Sequence, residues 1–241
     1  MGFRDRVHTL RAQYQKFEGR SPERPSAFYG SAVKVMLNLL QIPPGEVFAL
    51  LTAIGFAAGL NLYATVTALG LLARFGHLPL PPGLQLLQGW PIIIASATLF
   101  GIEFFADKIP AFDLIWNALH TFIRVPVAGL LAYRATSQLS PEHQLLATLL
   151  GAGVALIAHS GKTAARAVVT PSPEPFSNIT LSVGEDVLAI GLTWLATRHP
   201  YVAGSVAVVL ILTIVLLIRL VMRAMRALFA GAEHQVSGHA T

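Results

Sequence analysis

The chain has 241 residues, of which 54% are hydrophobic and 12% charged, with a net charge of +5, a mean hydropathy of +0.61 and no cysteine. A soluble domain carries roughly 25% charged residues, so a surface this poor in charge belongs in lipid. The lack of cysteine excludes disulfides and thiolate metal sites.

In chain order, the start is charged (Arg4, Asp5, Arg6, Arg11) and has no apolar core before residue 30, so no cleavable signal peptide is expected. Residues 1–46 read as a cytoplasmic segment. Within it, Phe28, Val33, Met36, Leu37, Leu39, Leu40 and Ile42 fall on one face of a helix over 26–42, with Lys34 and Asn38 opposite. That pattern predicts an interfacial helix on the anionic lipids of the cytoplasmic face.

A transmembrane domain then runs over 47–222. About 20 apolar residues are needed to cross the hydrocarbon core, and six segments qualify by eye: about 47–73, 89–106, 112–133, 144–168, 183–197 and 200–222. Prolines that disfavour the helix before them separate these segments: Pro79, Pro81 and Pro82, then Pro110, Pro141, Pro171, Pro173, Pro175 and Pro200. The predicted fold is an all-α polytopic membrane protein with about six transmembrane helices, some broken or short. Residues 223–241 form a tail.

Lys and Arg set the orientation. Seven lie in residues 1–46 and three in the tail (Arg219, Arg223, Arg226). With six spans and both termini cytoplasmic, Lys108, Lys162 and Arg166 also fall inside, which makes thirteen against Arg74, Arg134 and Arg198 outside. The basic residues flank spans and form no nucleic-acid motif, so no nucleic acid is expected. The expected surroundings are the bilayer itself, and homo-oligomerisation is compatible with the sequence.

Charged groups inside spans are costly and usually face a bundle interior or a water-filled cavity. The second segment ends with Glu103 and Asp107, one turn apart. In the third, Asp113, Asn117, His120 and Arg124 form a stripe at steps of four, three and four. The fourth carries His159, Lys162 and Arg166, and the fifth opens with Ser182, Glu185 and Asp186. Asn61 interrupts the first. These residues are the candidate substrate or ion path, with two alternatives: internal ion pairing, or a solvated cytoplasmic mouth. No catalytic set, metal site or cofactor is expected. Gly161-Lys162-Thr163 imitates the end of a P-loop, but Leu156 stands where its first glycine should be. Gly55 to Ala68 and Gly151 to Ala164 share small residues at similar steps, a faint internal repeat.

The stretches Ala106-Asp107-Lys108-Ile109-Pro110, Asp113-Leu114-Ile115-Trp116, His120-Thr121-Phe122-Ile123-Arg124, His159-Ser160-Gly161-Lys162-Thr163 and Ser172-Pro173-Glu174-Pro175-Phe176-Ser177-Asn178, with Glu185-Asp186, resemble a widespread bacterial family of integral membrane proteins catalogued as a domain of unknown function. The resemblance covers about 47–200. It implies a bacterial inner-membrane protein and supplies no substrate. The leading function is a small transporter or channel for an ion or small polar solute. The alternatives are a membrane-embedded enzyme acting on a lipid headgroup and a non-transporting scaffold.

Overall fold

The computed structural model describes residues 44–76, 78, 80–169 and 175–238, with backbone alone at 44, 110–114, 117, 167–169, 175, 178, 224–225 and 227–238. The interfacial helix expected at 26–42 lies outside the described residues. Those residues form seven α-helices and one 3₁₀ turn: α1 (Pro44–Leu60), α2 (Leu62–Phe75), the turn Pro82–Gln88, α3 (Trp90–Ala106), α4 (Pro110–Ala135), α5 (Pro141–Val169), α6 (Pro175–Arg198) and α7 (Pro200–Gly238). Five of the seven helices begin on proline, whose fixed φ suits a first turn and whose missing N–H costs nothing there.

Contacts between small residues fix the direction of each helix. A methyl group at Gly204 would meet Ala49 at 2.7 Å, one at Gly55 the Gly151 carbonyl at 3.1 Å, and one at Gly59 the Ala155 carbonyl at 2.5 Å. Helices α1, α5 and α7 therefore run parallel, and their backbones approach where side chains are absent. The two halves of the faint repeat pack on each other here. Helices α4 and α6 run the other way. The near end of the bundle holds the start of α1, the segment around the 3₁₀ turn, residues 136–140 and His199. The far end holds residues 107–109 and the start of α6.

The expected first span is instead a hairpin. At Asn61 the backbone turns extended (φ −145°, ψ 102°) and the side chain caps α2 by accepting from the Ala64 N–H at 2.9 Å. Helix α2 then returns to the near end. Thr67 Oγ1 donates to Ser96 Oγ at 2.8 Å, Gly70 abuts Leu87 and Ile93, and Arg74 donates to the Gln88 carbonyl at 3.0 Å. Helix α1 has 17 residues, or about 25 Å, so its tip stops short of a full crossing.

The span count is accordingly lower than six. Among the described residues, three helical stretches are long and apolar enough to cross: Pro141–Arg166, Ile179–Arg198 and Pro200–Arg223. The 3₁₀ turn with α3, bent by 68°, makes a fourth if the pair is counted as one broken span. Helix α4 has the length, at 26 residues, but carries Asp113, Arg124 and Arg134. Because the hairpin starts and ends at the near end, Pro44 and the last turns of α7 lie at opposite ends of the bundle.

The polarity of the bundle is inverted relative to a water-soluble one. Phe122 is 81% exposed and Leu146 63%, whereas Arg124 and Glu103 are completely buried. Only an apolar solvent favours that distribution, so this is an all-α membrane protein.

Candidate functional site at the tip of the hairpin

Four helices bring their charges to the break at Asn61. Glu103 lies in the last turn of α3 and Asp107 caps it. Arg124 comes from the middle of α4, His159, Lys162 and Arg166 from one face of α5, and Glu185 and Asp186 from α6. All of these are buried, whereas Lys108 beside them is half-buried.

Lys162 is the hub. Its Nζ lies 3.4 Å from Glu103 Oε1, 3.2 Å from Asp107 Oδ2 and 3.3 Å from Glu185 Oε2. It also donates to the Leu60 carbonyl at 3.3 Å. That carbonyl is the last of α1, where the helix dipole is negative and favours a cation. Arg166 extends the network, with Nη2 donating to Asp107 Oδ2 at 2.9 Å and to Glu185 Oε2 at 2.7 Å.

Arg124 forms the other arm, through an ion pair to Glu103. Its Nη1 also lies 3.0 Å from His159 Nδ1. Guanidinium can only donate, so Nδ1 accepts and the imidazole proton sits on Nε2. That Nε2–H donates to Thr121 Oγ1 at 2.7 Å.

Asp186 is held differently. Asn61 Nδ2 donates to its Oδ1 at 2.8 Å, and no cation lies within 4 Å of it among the described residues. The two broken helix ends are thus met in opposite senses. Lys162 sits on the carboxyl end of α1, while Asp186 sits on the residue that caps the amino end of α2.

Within the α4 stripe, His120 and Arg124 meet different partners. His120 Nδ1 donates to the Trp116 carbonyl at 2.8 Å and the ring stacks on Trp116 at 4.3 Å between centroids. Its Nε2 lies 3.0 Å from the Tyr63 hydroxyl, which therefore donates to it. His120 faces the first turn of α2, not the ion pairs. The side chains of Asp113 and Asn117 lie outside the described residues. The Leu60 carbonyl and Thr121 were not foreseen. A backbone acceptor carries no sequence signal, but the Asn break in an apolar run did mark its neighbourhood.

On the near side of the tip, the hairpin borders an apolar pocket of about 220 Å³ lined by Leu50, Ile54, Ala58, Leu69, Leu84 and Leu131. Ala58 is one helical turn from Asn61. Glu46 and Arg198 also border the cavity. The profile of the family described as Domain of unknown function (DUF4126) matches residues 48–220. No curated protein and no solved structure matches the chain.

Proposed function

The chain belongs to the DUF4126 family, and for this member we propose a small transporter or channel for an ion or small polar solute. The observation that carries this reading is the re-entrant hairpin. Non-helical backbone at membrane depth is tolerated where it is enclosed by protein or lines a water-filled path. Transporters use such broken helices to present half-helix ends to charge. Here both ends at Asn61 are met by an ionisable side chain, and the cavity stops one turn from the same break.

We place the protein in a bacterial inner membrane. Lys108, Lys162, Arg166, Arg219, Arg223 and Arg226 lie toward the far end, against Arg74, Arg134 and Arg198 toward the near end, which favours a cytoplasmic far end. The seven basic residues of 1–46 precede Pro44 at the near end and weigh the other way, so both termini cannot be cytoplasmic through the bundle's helices alone. Anionic lipids would suit the tail.

The closeness of the ion pairs favours a second reading, a scaffold in which the charges only join helices. A lipid-headgroup enzyme draws less support, because His120 and His159 are committed to separate partners and converge on no common point. Flux in reconstituted vesicles decides. With proton and alkali-cation gradients imposed in turn, wild-type protein should carry a flux that Lys162→Met reduces at least tenfold. Flux no greater than that of protein-free vesicles under every gradient would support the scaffold instead.

A further inference from the structure

The buried charges do not balance. Among the described residues the cluster holds four carboxyl groups (Glu103, Asp107, Glu185, Asp186) and three cations (Arg124, Lys162, Arg166). His159 adds no charge, because its Nδ1 accepts from Arg124. Three of the four carboxyl groups pair with a cation within 4 Å, and Asp186 does not.

None of the cations on the described residues reaches it within 4 Å, and each has other acceptors in contact. Lys162 has three N–H donors and four acceptors within 3.4 Å, namely Leu60, Glu103, Asp107 and Glu185. Arg166 Nη2 already bridges Asp107 and Glu185. Lys108, on the turn after α3, donates to the Phe104 carbonyl at 2.7 Å and lies over the Phe104 ring. From α7, Arg219 and Arg223 are exposed, and α1 and α2 contribute Asn61 and Tyr63. What Asp186 has is one amide donor on Oδ1 from Asn61. Its Oδ2 is buried without a partner, as is one oxygen of each of the other three carboxyl groups, but those three have a cation on the other oxygen and Asp186 has only the amide. The hydroxyl of Ser182, one turn earlier on the same face of α6, is also buried without a partner.

An isolated carboxylate with one oxygen bare in a water-poor interior is strongly disfavoured, whereas the neutral acid is tolerated. We propose that Asp186 is a proton-binding site, so that the ion handled at the hairpin tip is a proton. The neutral acid leaves three carboxylates facing the three fully buried cations, with the half-buried Lys108 acting on Asp186 only from a distance. It also gains an O–H donor, with Ser182 on the same helix face to accept it. Loss of that proton places a negative charge against Asn61, at the positive amino end of α2. Asp186 thereby links proton occupancy to the one non-helical joint of the hairpin. For its use in transport the inference rests on the function proposed above, but the bound proton does not.

Infrared spectroscopy reads the proton directly, without a flux assay. Purified wild-type protein in nanodiscs at pH 7 should show the carbonyl stretch of a neutral carboxylic acid, and Asp186→Asn should lack it. In wild-type protein, carbon-13 labelling of aspartate should shift this band, a check that survives if the variant folds poorly. A wild type without the band, a band that aspartate labelling leaves in place, or a band equally strong in well-folded Asp186→Asn would each overturn the assignment. Flux in a protein without the band would leave transport standing and remove Asp186 from it. The band in a protein without flux would do the reverse.

Discussion

The two sides of the hairpin tip are held together by opposite means. On the near side, α1, α5, α4 and α7 meet through Gly55, Gly59, Gly151 and Gly204 against alanines and backbone. Dispersion between closely approaching backbones does the work there, since lipid gives apolar side chains no reason to cluster. On the far side, α4 and α5 meet α3 and α6 through Arg124, Lys162, Arg166 and their carboxylates. The packed seam is short-ranged and tolerates no added atoms. The ion network is long-ranged and tolerates no lost partner. The difference suggests a division of labour, in which the seam fixes where α1 ends and the network decides what its end meets.

The largest effect should come from breaking the network. Truncating one member of a buried pair costs about 3–5 kcal/mol, because the other is left uncompensated. Arg124→Met should therefore lower thermal stability in detergent sharply. Arg124→Met with Glu103→Met should recover most of the loss, since Lys162 keeps Asp107 and Glu185. A double variant as unstable as the single one would show that Arg124 is held by something other than Glu103.

A smaller effect is expected from the seam, and it should depend on position. At Gly59 a methyl group would lie 2.5 Å from the Ala155 carbonyl and 2.8 Å from Ala155 Cα, both backbone atoms that cannot rotate away. Gly59→Ala should cost about 1–3 kcal/mol by overpacking. At Gly153, on the same helix as Gly151, a methyl group would meet nothing within 4 Å. Gly153→Ala should be neutral or stabilising by up to about 1 kcal/mol through helix propensity. Equal responses in a chemical-unfolding titration would mean that the seam is not where α1 is positioned.

The two sides also differ in how far the sequence disclosed them. Helix boundaries were legible because proline marks them, and the charged residues of α3, α5 and α6 were legible because lipid forbids them at random. The hairpin was not. Residues 47–73 carry no charged side chain, and hydropathy measures the length of such a run but not its direction. Asn61 was the one visible clue, since a strong N-cap residue inside an apolar run is a helix start as readily as a buried polar group. The α4 stripe misled for a related reason. Periodicity put His120 and Arg124 on one face, but a face about 100° wide can address two neighbours, and α2 and α3 divide it.

That division yields the smallest and most discriminating prediction. Tyr63→Phe removes only the hydroxyl that donates to His120 Nε2. A typical net hydrogen bond is worth about 0.5–1.5 kcal/mol, and His120 keeps its Trp116 contacts. If the Tyr63–His120 contact is separate from the ion network, it shares no hydrogen-bond partner with the Arg124–Glu103 pair. Tyr63→Phe and Arg124→Met should then add to within about 0.5 kcal/mol. A coupling well above that, measured by a double-mutant cycle on thermal unfolding in one detergent, would tie His120 to the network after all. The α4 stripe would then be restored as one polar path, and His120 would join Asp186 as a group whose protonation the hairpin tip responds to.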